Sequence, residues 1–106
     1  MPSNKNPDDS KRSALPRSCD FTKLFVKDWE RLNKSGRFNM KLLKTAILHL
    51  VANDTPLGPE WLDHPLKGEW SDHRECHIGG DFLLIYQLDG NCVRFTRAGT
   101  HSELFE

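Results

Sequence analysis

The chain has 106 residues, of which 37% are hydrophobic and 28% charged, and its basic and acidic residues balance to a net charge of zero. This composition predicts one soluble domain with a modest core, and it excludes the overall basic excess that usually marks a nucleic-acid-binding protein. No apolar run approaches the roughly 20 residues of a membrane span and no signal-peptide core is visible, so we expect a cytoplasmic protein.

The first fourteen residues differ in composition from the rest of the chain. They are rich in Pro, Ser, Asn and charge and have almost no large apolar side chain. Residues 1–14 therefore read as a disordered or non-native tail, and residues 15–106 as a single domain. A short strand around residues 14–19 is possible, and Pro16 would confine it to a sheet edge.

Helical periodicity follows in two consecutive segments. The first has the apolar stripe Phe21, Leu24, Phe25, Trp29 and Leu32. Asp20 or Ser18 is expected to cap this helix, and Ser35-Gly36 to end it. A second helix is expected from about Asn39 to a stop between Asn53 and Pro56, with the stripe Met40, Leu43, Ile47, Leu50 and Val51. The short connection predicts an antiparallel helical hairpin, with His49 off the stripe and in solvent.

The period then falls to two, which is typical of strands. Three strands are predicted, at residues 73–78, 82–88 and 92–96, separated by the turn signals Gly79-Gly80 and Asp89-Gly90. A short helical turn is expected after Gly99. The order predicts an α+β domain in which a helical hairpin precedes an antiparallel meander.

Two-residue loops in both hairpins would align three side chains across the sheet. With that register His77 lies opposite Phe82, and Phe82 opposite Arg97, all on one face. Because neighbouring strands are about 4.8 Å apart, His77 and Arg97 could both reach one phosphate. Asp81 would point to the other face.

The candidate catalytic side chains are His64, His77, Asp81, Arg97 and His101. Imidazole, carboxylate and guanidinium groups suit metal-free RNA cleavage, in which the ribose 2′-OH attacks the adjacent phosphorus. A base removes the hydroxyl proton, an acid protonates the leaving 5′ oxygen, and a cation stabilises the phosphate oxygens. Histidine serves as base or acid because its ordinary pKa is about 6.5.

Other interpretations of the same residues remain open. His73 and His77 could simply cover a sheet face, Arg97 could pair with a surface carboxylate, and Phe82 and Phe105 could be core residues. A zinc site built from Cys76, His77 and His73 is a rival, although the HxxCH pattern lacks a second ligand cluster. Three cysteines without a CxxC pair favour reduced thiols over a disulfide framework.

Three stretches carry a resemblance to a known family: DHPLKGEW, RECHIGGDFLLIYQL and VRFTRAGTHSELF. In this order they are similar to the YafQ branch of the RelE-like bacterial toxins, and the similarity covers Ser18 to the C-terminus. The resemblance implies a compact RelE-like fold, in which two helices pack on a curved antiparallel sheet. It also implies an mRNA endoribonuclease that cuts codons in the ribosomal A site.

The same resemblance implies a partner. Each such toxin is silenced by an antitoxin encoded beside it, and YafQ partners resemble DinJ, a ribbon-helix-helix protein whose C-terminal segment wraps the toxin. No cofactor or metal is expected, and the toxin itself is expected to be a monomer.

The resemblance also assigns roles by position. His101 is the implied general acid, His77 and Asp81 share the base role, Arg97 holds the scissile phosphate, and His64 assists in orientation or proton exchange. Substrate contacts are expected from Phe82, Phe105 and Arg74. Phe82 departs from the family pattern, where a tryptophan would be expected.

Two further functions compete with cleavage. A ParE-like toxin would poison DNA gyrase by binding, and it would not need His64, His77 and His101 together. A degenerate, inactive module would only sequester an antitoxin.

Overall fold

A computed structural model describes residues 15–53 and 57–105 of the chain. Its strands are β1 (Ser18–Phe21), β2 (His64–Pro65), β3 (Arg74–Gly79), β4 (Phe82–Asp89) and β5 (Cys92–Thr100). Its helices are α1 (Lys23–Ser35), α2 (Met40–Ala52) and α3 (His101–Phe105), with short 3-10 turns at Pro59–Trp61 and Gly68–Trp70. The predicted tail at residues 1–14 lies outside the described residues.

Helix α1 begins two residues later than its apolar stripe suggested. Thr22 is the N-cap, and its Oγ1 accepts a hydrogen bond of 3.0 Å from the backbone N–H of Phe25. The prediction that Asp20 or Ser18 caps this helix is wrong, because both residues lie in β1 together with Phe21. The predicted stop is confirmed by Gly36, which adopts a left-handed φ of 68°.

Helix α2 has the predicted extent. The side chain of Asn39 caps it by accepting from the backbone N–H of Leu42 at 3.1 Å. Asn53 ends it in the left-handed conformation, with φ of 56°. The remainder of the predicted stop, at residues 54–56, lies outside the described residues.

The five strands form one mixed sheet in the order β1-β5-β4-β3-β2. Strand β1 runs parallel to β5, pairing Ser18 with Cys92 and Phe21 with Phe95. The expectation of a wholly antiparallel sheet is therefore wrong at β1, while the α+β class and the edge position of the first strand are confirmed.

Both hairpins differ from the predicted register. Their turns are centred one residue later, on Gly80-Asp81 and Gly90-Asn91, where Gly80 and Gly90 supply the positive φ. Irregularities after His77 and between Ile85 and Tyr86 each change the pairing by one residue. Consequently His77 faces Leu83 and Phe82 faces Thr100, so the predicted row of His77, Phe82 and Arg97 does not form.

Apolar side chains cover both faces of the sheet. Helices α1 and α2 pack on one face over a core that includes Leu43, Leu84 and Phe95. The opposite face carries a smaller cluster of Leu83, Ile85 and Leu104. We call these the helical face and the open face. Within the described residues, no helix is both long enough and apolar enough to cross a membrane.

Candidate active site on the open face of the sheet

Two imidazoles converge on one buried carboxylate. The Nε2 atom of His64 lies 3.1 Å from Oε2 of Glu75, and Nε2 of His77 lies 3.5 Å from the same oxygen. Glu75 is 6% exposed, whereas His64 is exposed and His77 half-buried. The carboxylate can therefore fix the orientation and tautomer of both rings while leaving ring edges open to solvent.

Strand register explains this convergence. Residues directly opposite one another in a sheet share a face, and His64 pairs with Glu75, Glu75 with Ile85, and Ile85 with Arg97. His77 follows Glu75 by two residues and so lies on the same open face. The row that the sheet builds is thus His64, Glu75, Ile85 and Arg97.

Arg97 is held in place by a buried aspartate of α1. Its Nε and Nη2 donate to Asp28 at 2.8 and 3.0 Å, and the backbone N–H of Ala98 donates to the same carboxylate at 3.1 Å. Burial alone would raise the pKa of Asp28, but the hydrogen bonds from Arg97, Arg31 and Ala98 hold it below its ordinary value. The Asp28 hydrogen bonds raise the pKa of Arg97 in turn. Arg97 is therefore a fixed cation.

His101 is the first residue of α3, directly after β5. Its backbone N–H donates to Oδ1 of Asp81 at 2.9 Å. Thr100 and Glu103 form a reciprocal capping box, with hydrogen bonds of 2.8 and 3.2 Å, and Arg31 binds Glu103 at 3.2 Å. Asp81 is thus engaged with the main chain of His101, and the carboxylate beside His77 is Glu75 instead.

Strand register places His77 and Gly99 on either side of Leu83, with which both residues pair. Two strand spacings separate their backbones, about 10 Å. His101 follows Gly99 by two residues, and its ring lies 4.9 Å from that of Phe105.

The two predicted aromatic contacts have different surroundings. Phe105 is half-buried on the open face, with its ring 6.1 Å from that of Trp70. Phe82 is 5% exposed and packs against Phe38 in the core of the helical face. A ring buried in that core offers no face to a base, so the predicted stacking role of Phe82 conflicts with its position.

Arg74 is not a free cation. It lies 3.3 Å from Asp63, which also accepts a hydrogen bond of 2.7 Å from the hydroxyl of Tyr86. Burial and this hydrogen bond raise the pKa of Tyr86. Arg74 is half-buried at one end of β3 and pairs with Tyr86, on the side of the sheet opposite to Glu75, so it does not join the histidine cluster. Its role toward substrate stays a prediction.

Potential metal ligands group differently from the predicted rival site. Cys76 lies on the helical face, fully buried, and burial raises its pKa to about 12, so it cannot join His77 in a zinc site. His64, Glu75 and His77 instead bring three ligand atoms within 4.8 Å of one another. Two imidazoles and a carboxylate suit a first-row transition metal.

Sequence reasoning missed Glu75 and Asp28. Glu75 stands two residues before His77 in a strand, so period-two alternation could have placed it beside that histidine. Asp28 gave no comparable signal, because it occupies an ordinary polar position of α1 and its partners in β5, Arg97 and Ala98, are 69 and 70 residues away.

Comparison with known proteins identifies the family. Residues 17–106 match the family model described as the bacterial toxin of type II toxin-antitoxin system, YafQ. The chain belongs to the YafQ toxin family. The mRNA interferase toxin YafQ of Escherichia coli K12 is 35% identical over 91 residues, covering 86% of this chain and 98% of that protein.

Solved YafQ-family structures share the fold. The toxin in the E. coli DinJ-YafQ toxin-antitoxin complex matches with a TM-score of 0.77 and 35% identity, over 87% of this chain and all of that one. A metal-bound toxin from Helicobacter pylori matches with a TM-score of 0.75 and 44% identity, over 84% of this chain and 99% of that one.

Proposed function

We propose that this chain is an endoribonuclease toxin that cleaves mRNA in the ribosomal A site by metal-independent acid–base chemistry. It acts in the cytoplasm as a monomer, and a DinJ-like antitoxin neutralises it. The observation that carries the proposal is the convergence of His64 and His77 on Glu75, in the cross-strand row that ends at Arg97. Family membership supports it, because the E. coli relative is an mRNA interferase toxin that forms a complex with DinJ.

The proposed base is an imidazole of the Glu75 cluster. His77 removes the proton of the ribose 2′-OH, and Glu75 stabilises the imidazolium that forms. His64, on the same carboxylate oxygen, orients the substrate or returns the proton. Asp81 contributes by fixing the start of α3, since its carboxylate accepts from the backbone of His101.

The 2′ oxygen then attacks the adjacent phosphorus, and the P–O5′ bond breaks to leave a 2′,3′-cyclic phosphate. Arg97 binds the phosphate through the guanidinium edge that Asp28 does not occupy, because only its Nε and Nη2 donate to Asp28. His101 gives its proton to the leaving 5′ oxygen. Phe105, against the His101 ring, supplies a partial stacking surface for a base.

The test is expression of the wild-type chain and of His101→Ala, with primer extension on cellular mRNA. The wild type should arrest growth and give in-frame cuts that disappear when translation is blocked. Removal of the acid should lower cleavage by about 10²- to 10⁴-fold. His49→Ala is the matched control, since His49 is an exposed histidine on α2 away from the open face.

The outcomes separate the competing functions. Growth arrest that persists in folded His101→Ala, with inhibition of gyrase supercoiling, would replace cleavage by ParE-like binding. A wild-type chain that binds antitoxin but neither arrests growth nor cuts RNA would be an inactive module.

A further inference from the structure

Helix α3, which carries His101, is too short to be held by its own hydrogen bonds. It has five residues, of which Leu104 is buried. A single turn of helix is not stable in water without contacts to the rest of a protein. The position of His101 therefore depends on the groups that fasten this turn to the fold.

Contacts on two sides fasten α3. Leu104 packs into the apolar cluster of the open face. On one side Asp81, in the turn between β3 and β4, accepts from the backbone N–H of His101 at 2.9 Å. On the other side Oε2 of Glu103 lies 3.2 Å from Nε of Arg31, which belongs to α1. The ion pair of Arg31 and Glu103 therefore ties α3 to the helical hairpin.

Arg31 joins two carboxylates through different nitrogens. Its Nη1 donates to Oδ1 of Asp28 at 2.8 Å, while its Nε faces Glu103. Asp28 is buried and accepts two hydrogen bonds from Arg97. Four side chains thus form one ion-pair network, in the order Arg97, Asp28, Arg31 and Glu103. This network runs from the proposed phosphate-binding cation to the helix of the proposed general acid.

The network packs directly against the backbone of β5. A Cβ atom added at Gly99 would lie 2.8 Å from Oε1 of Glu103 and 3.1 Å from Nη2 of Arg31, so the ion pair would have to move. Gly99 is two residues after Arg97 and two residues before His101. Glycine at this position therefore lets the ion pair lie close to the strand, between the two groups that the network connects.

The exposure of this ion pair indicates that it contributes little to stability. The side chains of Arg31 and Glu103 are 42% and 36% exposed, and water screens exposed ion pairs. The backbone N–H of Thr100 and the Arg31 guanidinium nevertheless lower the pKa of Glu103, so the carboxylate stays charged near neutral pH. A pair that adds little stability but connects two proposed catalytic groups is suited to a positioning role.

We infer that Arg31 and Glu103 are positioning residues that hold the His101 imidazole at a fixed distance from the phosphate bound by Arg97. The inference rests on the proposed function, because it needs His101 to protonate the leaving 5′ oxygen. Neither residue touches the substrate, since they act through α3 and through Asp28. Proton transfer requires hydrogen-bonding distance, and a displacement of about 1 Å can lower a rate about 100-fold.

Cleavage kinetics of Glu103→Gln on mRNA in programmed ribosomes test the inference. Glutamine can still accept from the N–H of Thr100, so the helix cap remains while the charge that binds Arg31 is lost. We expect kcat to fall about tenfold, with KM changed by less than about twofold. Glu30→Gln is the matched control, because Glu30 is an exposed carboxylate on α1, and it should leave kcat unchanged.

A modified substrate identifies the step that the ion pair supports. With sulfur in place of the scissile 5′ oxygen, the 2′ oxygen still attacks phosphorus, and the P–S bond breaks to release a thiolate that needs no proton from an acid. On this substrate Glu103→Gln and His101→Ala should both cleave within about threefold of the wild-type rate, and Asp28→Asn should stay slow. A deficit that persists in Glu103→Gln while His101→Ala recovers would overturn the inference.

A double-mutant cycle checks whether the two residues act as one unit. Arg31→Gln should slow cleavage at least as much as Glu103→Gln, because Arg31 also binds Asp28. Adding Glu103→Gln to Arg31→Gln should lower kcat by less than about twofold more, since the ion pair is already absent. Lys34→Gln, at an exposed position of α1, controls for the lost positive charge. Effects of the two substitutions that simply multiply would contradict a shared role.

Amide hydrogen exchange separates this inference from the proposed function. Arg31→Gln and Glu103→Gln should each speed exchange at residues 101–105 about tenfold or more, while urea unfolding of the domain stays close to that of the wild type. If the wild type cuts no RNA, the proposed function fails, and exchange still decides whether the ion pair holds α3. Wild-type exchange in both variants would overturn the inference, and so would a wild-type kcat in both.

Discussion

Asp28 and Arg97 are joined by two hydrogen bonds of 2.8 and 3.0 Å, across 69 positions of sequence. Strand β1 pairs with β5 only as far as Phe95. Beyond that residue the carboxylate of Asp28 binds the edge of β5, where it accepts a hydrogen bond from the backbone N–H of Ala98. One carboxylate therefore both completes the sheet edge and sets the direction of the proposed phosphate-binding arginine.

Replacing Asp28 by Asn should impair cleavage more than RNA binding. The amide cannot accept two charge-assisted hydrogen bonds from Arg97, so the guanidinium loses its fixed orientation toward the transition state. We expect kcat to fall about tenfold or more with a small change in KM, and the free energy of unfolding to fall by about 2–3 kcal/mol. Single-turnover cleavage and urea unfolding measure these effects.

Glu30→Gln is the matched control for Asp28→Asn, because Glu30 is an exposed carboxylate on the same helix. Equal kcat in Asp28→Asn and wild type, at a lowered stability, would leave Asp28 with a purely structural role.

Acid should destabilise the fold partly through Asp28. The pKa of this carboxyl lies below its ordinary value of 3.8, so the folded state favours its charged form. Its stabilisation is complete above that ordinary value and is lost as pH falls toward the lowered folded value. We expect unfolding free energies measured between pH 7 and pH 3 to drop less steeply in Asp28→Asn than in the wild type. Parallel curves would contradict the assignment.

Replacing Glu75 by Gln should slow cleavage. The amide removes the negative charge that His64 and His77 share, so the two rings lose the contact that orients them and the imidazolium proposed on His77 loses its counter-ion. We expect kcat/KM for RNA cleavage to fall about tenfold or more. Glu69→Gln, an exposed carboxylate in the turn before β3, should leave kcat/KM unchanged.

Removal of metal should not affect cleavage. The proposed chemistry uses side chains alone, so EDTA should leave the rate unchanged. Added Zn²⁺ or Cu²⁺ should inhibit, because a metal bound by His64, Glu75 and His77 would draw charge from the His77 imidazole and compete with it for the Glu75 carboxylate. His64→Ala should weaken that inhibition. Loss of activity in EDTA that Zn²⁺ restores would instead make the metal part of the reaction.

The helices were predictable from the sequence because their signals are local. The spacing of apolar residues, with the stops at Gly36 and Asn53, predicted the ends of α1 and α2 to within about two residues. The parallel pairing of β1 with β5 was not predictable in this way, because it joins residues more than 70 positions apart and β1 is exposed throughout.

The strand register, which decides which side chains meet in the site, was not predictable from local sequence signals. Gly80 and Gly90 mark the turns, but the sequence does not show which dipeptide around each glycine is central, and a one-residue shift changes the face of every side chain. The position of Arg97 also depends on a shift in strand pairing between Ile85 and Tyr86, and no sequence motif predicts that shift. His64 and His77 were nevertheless among the candidates, because histidine is the residue type that acid–base chemistry near neutral pH favours.

Thr96 is the surplus residue of β5, since Tyr86 faces Phe95 while the preceding Ile85 faces Arg97. Deleting it would leave every other residue of β5 opposite its present partner, and would remove only the local bend and the contact of Thr22 with the Thr96 carbonyl. The bend in β5 that sets the direction of Arg97 is therefore separable from the pairing of β5 with β4. A chain shortened by this one threonine would keep the same strand neighbours and present its arginine at a different angle.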